Sequence, residues 1–342
     1  MRLWQDKRMN EWIDALSDLS AAGEPVVLVT VAAIRGSAPR EPGAKMIVTR
    51  SETVGTIGGG QLEHQCTRIA VGMLDEIEQP AVQSFPLGSS MGQCCGGVVE
   101  ILFEPVSRRL PHWLGELRAM HGQRLPAVLV TGTGPNAGQD KQVLAGDAAT
   151  SFLDEGREPR RIDDFFYEPV VASDLNIAVF GAGHVGSAVV ASLSALDCNI
   201  RWIDSRRNIF RHIPRNVRAV ESETPALEVA AMPPHSYYLV MTHSHALDYD
   251  IADRILRRGD ARYCGLIGSL SKKRRFEKRY RAESMPPAQL ARLVCPIGVD
   301  GISGKKPAEI AVAAAAEILQ VYEAASARAT IEYPDNVHTL KH

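Results

Sequence analysis

Cys94 and Cys95 are adjacent, set between Gln93 and Gly96-Gly97. Neighbouring cysteines make poor partners for an ordinary disulfide, which needs a set separation of Cα and Cβ atoms. Exposed in a glycine-flanked loop, the two thiols are able to hold a soft metal or carry sulfur. Packed inside, they are simply two small core residues. The other four cysteines, Cys66, Cys198, Cys264 and Cys295, read as core.

A second group of residues suits an anion. Gly181, Gly183 and Gly186 form a G-x-G-x-x-G run, with His184 inside it. The run follows an expected strand and opens an expected helix, the context this pattern requires. Gly181 permits the tight turn, Gly183 lets a phosphate approach the backbone, and Gly186 lets the helix pack on the strand. The helix start supplies free N–H groups and the positive end of the dipole. Asp204 ends the next strand, where an acid binds ribose hydroxyls. Arg206 and Arg207 follow it and suit an extra phosphate.

Other turns carry polar side chains of similar promise. Gly268 and Ser269 precede Lys272, Lys273, Arg274 and Arg275, a phosphate-type turn or a solvated basic helix face. His243 and His245 follow another expected strand, at the sheet edge where ligands bind in open α/β folds. They serve as ligand contacts, as metal ligands, or as exposed residues beside a helix capped by Asp248. Gly58-Gly59-Gly60 leads into Glu63 and His64. Three consecutive glycines cost backbone entropy and suggest close approach by something, with Glu63 as a contact. Residues Pro296 to Pro307 form a further glycine-rich loop into a helix, with Pro307 suited to its first turn.

The elements that position these residues fall into two grammars. Residues 1–165 are expected as an α+β domain. Its strands are Val26–Val31, Lys45–Val48, Thr53–Ile57, Val98–Phe103 and Ala127–Thr131. Its helices run from Met1 to Ser20, from Gln61 to Ile77 and over 107–123. Residues 132–165 are polar and glycine-rich, and Asp163 to Pro169 begins a boundary. From Asn176 strands and helices alternate. Residues 174–330 are therefore expected as a Rossmann-like α/β domain, a doubly wound parallel sheet with helices on both faces. Its strands are Ile177–Phe180, Ile200–Asp204, Tyr237–Thr242 and Tyr263–Ile267, and it closes on a helix over Ala308–Ala325.

Composition bounds the functions available. The 342 residues suit about two domains. With 45% hydrophobic and 23% charged residues the chain is ordinary for a soluble globular protein. A net charge of −2 excludes a globally basic nucleic-acid coat. That near-neutral total hides a net −6 over residues 1–170 and +4 over 171–342, so the second half is the expected host of an anionic ligand. Six cysteines are too few for a disulfide scaffold, and no C-x2-C pair marks a zinc ribbon. No signal peptide and no membrane-spanning run are expected, and a reducing cytoplasm fits the free thiols.

Together these segments resemble the XdhC/CoxI family, accessory proteins that mature xanthine dehydrogenase and related molybdenum hydroxylases. The first half carries the likeness in Gly36-Ser37-Ala38-Pro39-Arg40, Gly43-Ala44-Lys45-Met46, Gly55 to Glu63 and Gln93-Cys94-Cys95-Gly96-Gly97. In the second half it rests on Val179 to Gly186, Thr242 to His245 with Asp248, Gly265 to Ser269 with Lys272, and Pro296-Ile297-Gly298. The resemblance implies a chaperone that binds molybdenum cofactor (molybdopterin) as cargo. It would hold the cofactor during sulfuration by a cysteine desulfurase and deliver it to the hydroxylase, acting as a maturation factor rather than a catalyst. Phosphate would sit on Gly181, Gly183, Gly186, Ser269 and Lys272, and Cys94 or Cys95 would face molybdenum or its sulfur. Homo-oligomers are compatible with this reading; nucleic acid and membrane are not expected partners. The other reading from the residues is an NAD(P)-dependent oxidoreductase with His243 or His245 as general acid. A third is a non-catalytic scaffold that docks partner enzymes.

Overall fold

The computed structural model describes residues 11–74, 80–87, 96–106, 110–133, 141–214 and 216–332. Cys94 and Cys95 lie outside the described residues. In the first half the chain runs α1 (Glu11–Ala21), β1 (Val26–Arg35), β2 (Lys45–Val48), β3 (Thr53–Gly55), α2 (Gly60–Met73), β4 (Ala81–Pro86) and β5 (Val98–Val106). It continues through α3 (His112–Gly122), β6 (Ala127–Gly132), β7 (Gln142–Leu144), α4 (Gly146–Glu155), β8 (Arg160–Ile162) and β9 (Phe165–Val170). Two antiparallel sheets result, β3-β2-β1-β5-β4 and β7-β6-β9-β8.

Strand β1 explains the layering. Its run Val26 to Ala32 is buried on both faces, so alternate residues must find different partners. Val27, Val29 and Val31 pack with Leu62, Cys66, Ala70 and Met73 of α2. Val26 and Leu28 pack with Trp12, Ile13 and Leu16 of α1 and with Leu114 and Leu117 of α3.

The chain divides into two units, Met1–Ala172 and Ser173–His342. The first therefore ends later than the expected residue 165. The reason is that Phe165–Val170 does not start a linker: β9 pairs with β6 from Val170 opposite Ala127 to Phe165 opposite Gly132. The polar stretch 132–165 likewise holds β7, α4 and β8. Strands of three residues are too short to display a period, and their signal comes from pairing.

The second unit contains β10 (Asn176–Phe180), α5 (His184–Leu193), β11 (Asn199–Asp204), β12 (Val217–Glu221), a 3-10 turn (Pro225–Ala231) and β13 (Tyr237–Val240). It continues with α6 (His245–Arg258), β14 (Tyr263–Leu266), α7 (Leu270–Ala282), α8 (Pro287–Leu290), β15 (Leu293–Val294) and α9 (Pro307–Glu332). The sheet is wholly parallel in the order β12-β11-β10-β13-β14-β15. This is the doubly wound order whose direction reverses between β10 and β13. Ala178, Phe180, Tyr238 and Val240 face the layer of α6 and α7. Ile177, Val179, Tyr237 and Leu239 face the layer of α5 and α9. Among the described residues no helix is long and apolar enough to cross a membrane.

Charge is buried inside the first unit. Lys45 Nζ lies 2.8 Å from Glu168 Oε2 and donates to Thr30 Oγ1 at 2.8 Å. Lys141 pairs with Glu104, and all four charged side chains are at least nine-tenths buried. Burial pulls the Lys141 ammonium below the usual lysine range, opposed by Glu104 and reinforced by Lys45. Breaking one buried pair leaves a lone charge, at a cost of about 3–5 kcal/mol. Lys45→Met is expected to lose about that much in a urea titration, and adding Glu168→Leu to recover most of it.

Candidate functional site

The strand order directs attention to the carboxyl ends of the parallel strands, where the loops after β13 and β14 form a cavity of about 340 Å³. Its walls are Thr242, His243, His245, Asp248, Ile267, Gly268, Ser269 and Lys272. Five of these, His243, His245, Gly268, Ser269 and Lys272, are expected from the sequence, and the fold brings them together. Both histidines are exposed. No group of three or more His, Cys, Asp or Glu converges among the described residues as a metal site would require.

Local sequence builds the cavity from two helix starts. Ser244 caps α6, its Oγ accepting from Leu247 N at 3.4 Å, and Ser269 caps α7, its Oγ accepting from Lys272 N at 3.3 Å. Each cap takes up one amide, that of Leu247 or Lys272, and the amides before it stay outside the helix ladder, where an anion can meet them. The expected cap Asp248 has a different task. It sits buried in the first turn of α6, and its Oδ1 accepts from Thr242 N at 2.9 Å and lies 2.7 Å from Thr242 Oγ1. Its Oδ2 accepts from Lys272 Nζ at 2.6 Å. Lys272 also donates to Ile267 O at 2.8 Å, which uses two of its three N–H donors. Gly268 makes room for that arrangement: a Cβ there would come within 2.6 Å of Lys272 Cδ. The result is a neutralised, oriented ammonium group on the wall of a cavity lined by donors.

The glycine turn after β10 is adjacent, but it is not part of the cavity wall. A Cβ on Gly181 would meet Met241 O at 2.3 Å, so the turn lies directly against the strand end that leads to Thr242. Gly186 is packed against Gly181 O, 1.9 Å from where its Cβ would stand, while Gly183 has open space there. His184 starts α5. Asp204 does not present its carboxylate to a ribose. Oδ2 accepts from Ala182 N at 2.6 Å and from Arg206 Nη2 at 2.8 Å. Oδ1 accepts from Arg206 N at 2.9 Å and Arg206 Nε at 3.0 Å. Burial alone would raise this carboxyl, and the bonds from Arg206 and Ala182 outweigh it, holding it below the usual carboxylate range.

In the first unit the glycine-rich segments meet one another. Gly58 packs on Pro39, whose Cγ is 2.6 Å from a Cβ built at Gly58. Gly36 lies against Gly97, with 3.1 Å from its Cβ position to Gly97 Cα. Leu87 N donates to Gly97 O at 2.7 Å, so the residues on either side of the Cys94-Cys95 segment are tied together. Glu63, expected as a ligand contact, instead closes the turn. Its Oε2 accepts from Thr56 Oγ1 at 2.5 Å, Ile57 N at 3.1 Å and Gly59 N at 3.1 Å. Gly58, Gly59 and Gly60 all hold positive φ at the entry to α2; the chain approaches closely at Gly58, while the space beside Gly59 is open. The four described cysteines are all buried. Burial pushes the Cys66 and Cys264 thiols up to about 12, which keeps them protonated and unreactive.

Two family models match this architecture segment by segment. XdhC Rossmann domain matches residues 177–318, and the XdhC and CoxI family matches residues 19–86. The chain belongs to the XdhC and CoxI family. Among curated proteins it is similar to YqeB of Escherichia coli (strain K12), 24% identical over 303 residues. That match covers 87% of this chain and 43% of YqeB, so the chain spans under half of that relative's length. Among solved structures it is similar to a Bacillus halodurans chain named a xanthine dehydrogenase, at 22% identity and a TM-score of 0.72. The superposition covers 91% of this chain and 96% of that one, and this likeness establishes the fold.

Two outcomes follow from the packing of the glycine turn. Gly186→Ala drives a Cβ into a backbone carbonyl and is expected to cost at least about 1–3 kcal/mol, whereas Gly183→Ala is expected to leave the denaturation midpoint nearly unchanged. Asp204→Asn is expected to destabilise by about 1–3 kcal/mol at neutral pH, because buried charged donors lose their acceptor. A carboxyl held lower in the folded than in the unfolded chain stabilises above its unfolded value, ~3.9, and loses that contribution as pH falls through the folded one. The gap between Asp204→Asn and wild type should therefore close in urea titrations at progressively lower pH.

Proposed function

We propose that this protein is an accessory factor for a molybdenum hydroxylase of the xanthine dehydrogenase type, and that it carries molybdenum cofactor as cargo. The observation that carries the reading is the oriented Lys272 ammonium between the starts of α6 and α7, in a chain of the XdhC and CoxI family. The cofactor is a phosphorylated pterin with a soft metal–sulfur centre. Lys272 and the first amides of α6 and α7 would receive its phosphate, through charge-assisted hydrogen bonds and the two helix dipoles. Asp248 is a positioning residue: its oxygens are spent on Thr242 and Lys272, so it fixes the ammonium without turning a carboxylate toward the anion. His243 and His245, exposed at the mouth, add donors that can swing onto the ligand. A cavity of about 340 Å³ is in the range that takes part of a small molecule.

The soft end of the cargo calls for soft ligands. We assign that role to Cys94 and Cys95, adjacent thiols set between Gln93 and Gly96-Gly97 in the sequence. Sulfuration by a cysteine desulfurase, with this chain holding the cofactor before delivery, completes the reading. A cytoplasmic setting agrees with four buried free thiols. The nicotinamide reading gains no comparable support, since the acid that would grip a ribose is engaged by Arg206 and Ala182.

The test is mass spectrometry and metal analysis of the protein purified without chelators from cells that make the cofactor. Molybdopterin near one per chain is expected; a chain that carries none, even with cofactor in excess, overturns the reading. Lys272→Gln, which keeps a donor for Asp248 but loses the charge, is expected to weaken binding about 10-fold to 100-fold. Replacing Cys94 and Cys95 with Ala is expected to leave the phosphate end bound and to lower the activity recovered by the recipient enzyme.

A further inference from the structure

Helix α7 is built against its own electrostatics. Its sequence, LSKKRRFEKRYRA, carries seven cations and a single carboxylate. Four of the cations, Lys272 to Arg275, crowd the first turns, where the positive end of the helix dipole disfavours them, and that end has no acid. Like charges at i,i+4, such as Arg274 with Lys278 and Arg275 with Arg279, cost about 0.2–0.5 kcal/mol each. Packing accounts for one cation: Lys272, with Phe276 and Tyr280, forms the buried row, and its ammonium meets Asp248. Arg279 is tied to Glu283 and Arg281 to Glu277. Lys273, Arg274, Arg275 and Lys278 form no ion pair with a carboxylate among the described residues, and Arg274, Arg275 and Lys278 are exposed.

On the outer face Leu270, Arg274 and Lys278 stand one above another at i, i+4 and i+8. Leu270 is 59% exposed and directly follows Ser269 on the cavity wall. The face therefore offers an apolar anchor next to the cavity wall and a row about 12 Å long from Leu270 through Arg274 to Lys278. Ion pairing within the described residues does not account for this row, which leaves its charge open to an acidic partner.

We propose that the outer face of α7 is a docking surface for an acidic patch, with an apolar notch for Leu270, on the enzyme that receives the cargo. The inference rests on the proposed function for the partner's identity and on α7 alone for the partner's chemistry. A protein suits the face better than a nucleic acid: the whole chain has net charge −2, so no general field draws a polyanion, and an exposed leucine begins the row. Docking here places the partner beside the cavity mouth, with steering that brings the two together quickly at low ionic strength.

The test uses the full chain and a purified xanthine dehydrogenase-type apoenzyme, with association rates read at low and high ionic strength. Wild type is expected to associate fast at low salt and to slow at least about 10-fold as salt screens the row. The triple variant Arg274→Glu/Arg275→Glu/Lys278→Glu is expected to associate about 100-fold more slowly at low salt and to lose the salt dependence. It should keep its bound molybdopterin and show a urea midpoint no lower than wild type, since acids suit a helix start. Should it not fold, Arg274→Gln/Lys278→Gln is expected to give a smaller loss of the same kind, and Leu270→Ala a faster dissociation. Equal low-salt rates for wild type and variant overturn the proposal. So does absence of association by wild type, or a charge effect confined to self-association or to duplex DNA. Wild type that docks in this way but never carries molybdopterin would sink the cargo reading and leave the docking surface standing.

Discussion

The ion pair between Asp248 and Lys272 is the interaction on which the candidate site depends. It joins the first turn of α6 to the first turn of α7 beneath the ends of β13 and β14, and both partners are almost fully buried. Two charges taken out of water cost more than they return unless their remaining donors and acceptors are satisfied. Here Thr242 supplies its N–H and hydroxyl to Asp248, and Ile267 O accepts from Lys272. The network therefore fixes both strand ends as well as both helix starts. What it leaves over is a third ammonium donor, two sets of helix amides and two exposed imidazoles around one cavity.

Two glycine-rich turns outside that cavity satisfy their own donors with carboxylates of the chain. At the Rossmann turn, Asp204 and Arg206 fill the position where an outside ligand would be gripped, and the Ala182 amide is spent on that carboxylate. At the triple-glycine turn of the first unit, Glu63 takes the hydroxyl and amides that an anion would need. Both are glycine-rich strings before a helix, and in both a carboxylate of the chain already accepts from backbone amides of the turn.

Helix α7 links this site to the wider surface. Its buried row of Lys272, Phe276 and Tyr280 holds it on the sheet, with Tyr249 and Tyr280 stacked at 4.3 Å between ring centres. Its opposite face carries charge that no described carboxylate balances. One short helix thus presents a cation inward to a cavity and a row of cations outward, from adjacent positions of a single basic run.

The amino-acid sequence by itself determined what is local. The strand, glycine turn and helix from Asn176 to Leu193, the alternating grammar of the second unit, the cores of β1 and β2, and the buried character of Cys66, Cys198, Cys264 and Cys295 all follow from spacing and residue type over a few turns. So did five of the eight residues that line the cavity, because strand ends followed by capped helices announce themselves in sequence. Tertiary structure alone decided the rest. Asp248 and Lys272 are 24 positions apart, Asp204 and Ala182 are 22 apart, and Lys45 and Glu168 lie on strands of different sheets. The short strands β7, β8, β12 and β15 exist because neighbours pair with them. Whether a carboxylate binds a ligand, caps a helix or neutralises a lysine depends on which donor reaches it first in space. That is a property of packing, and local spacing holds no record of it.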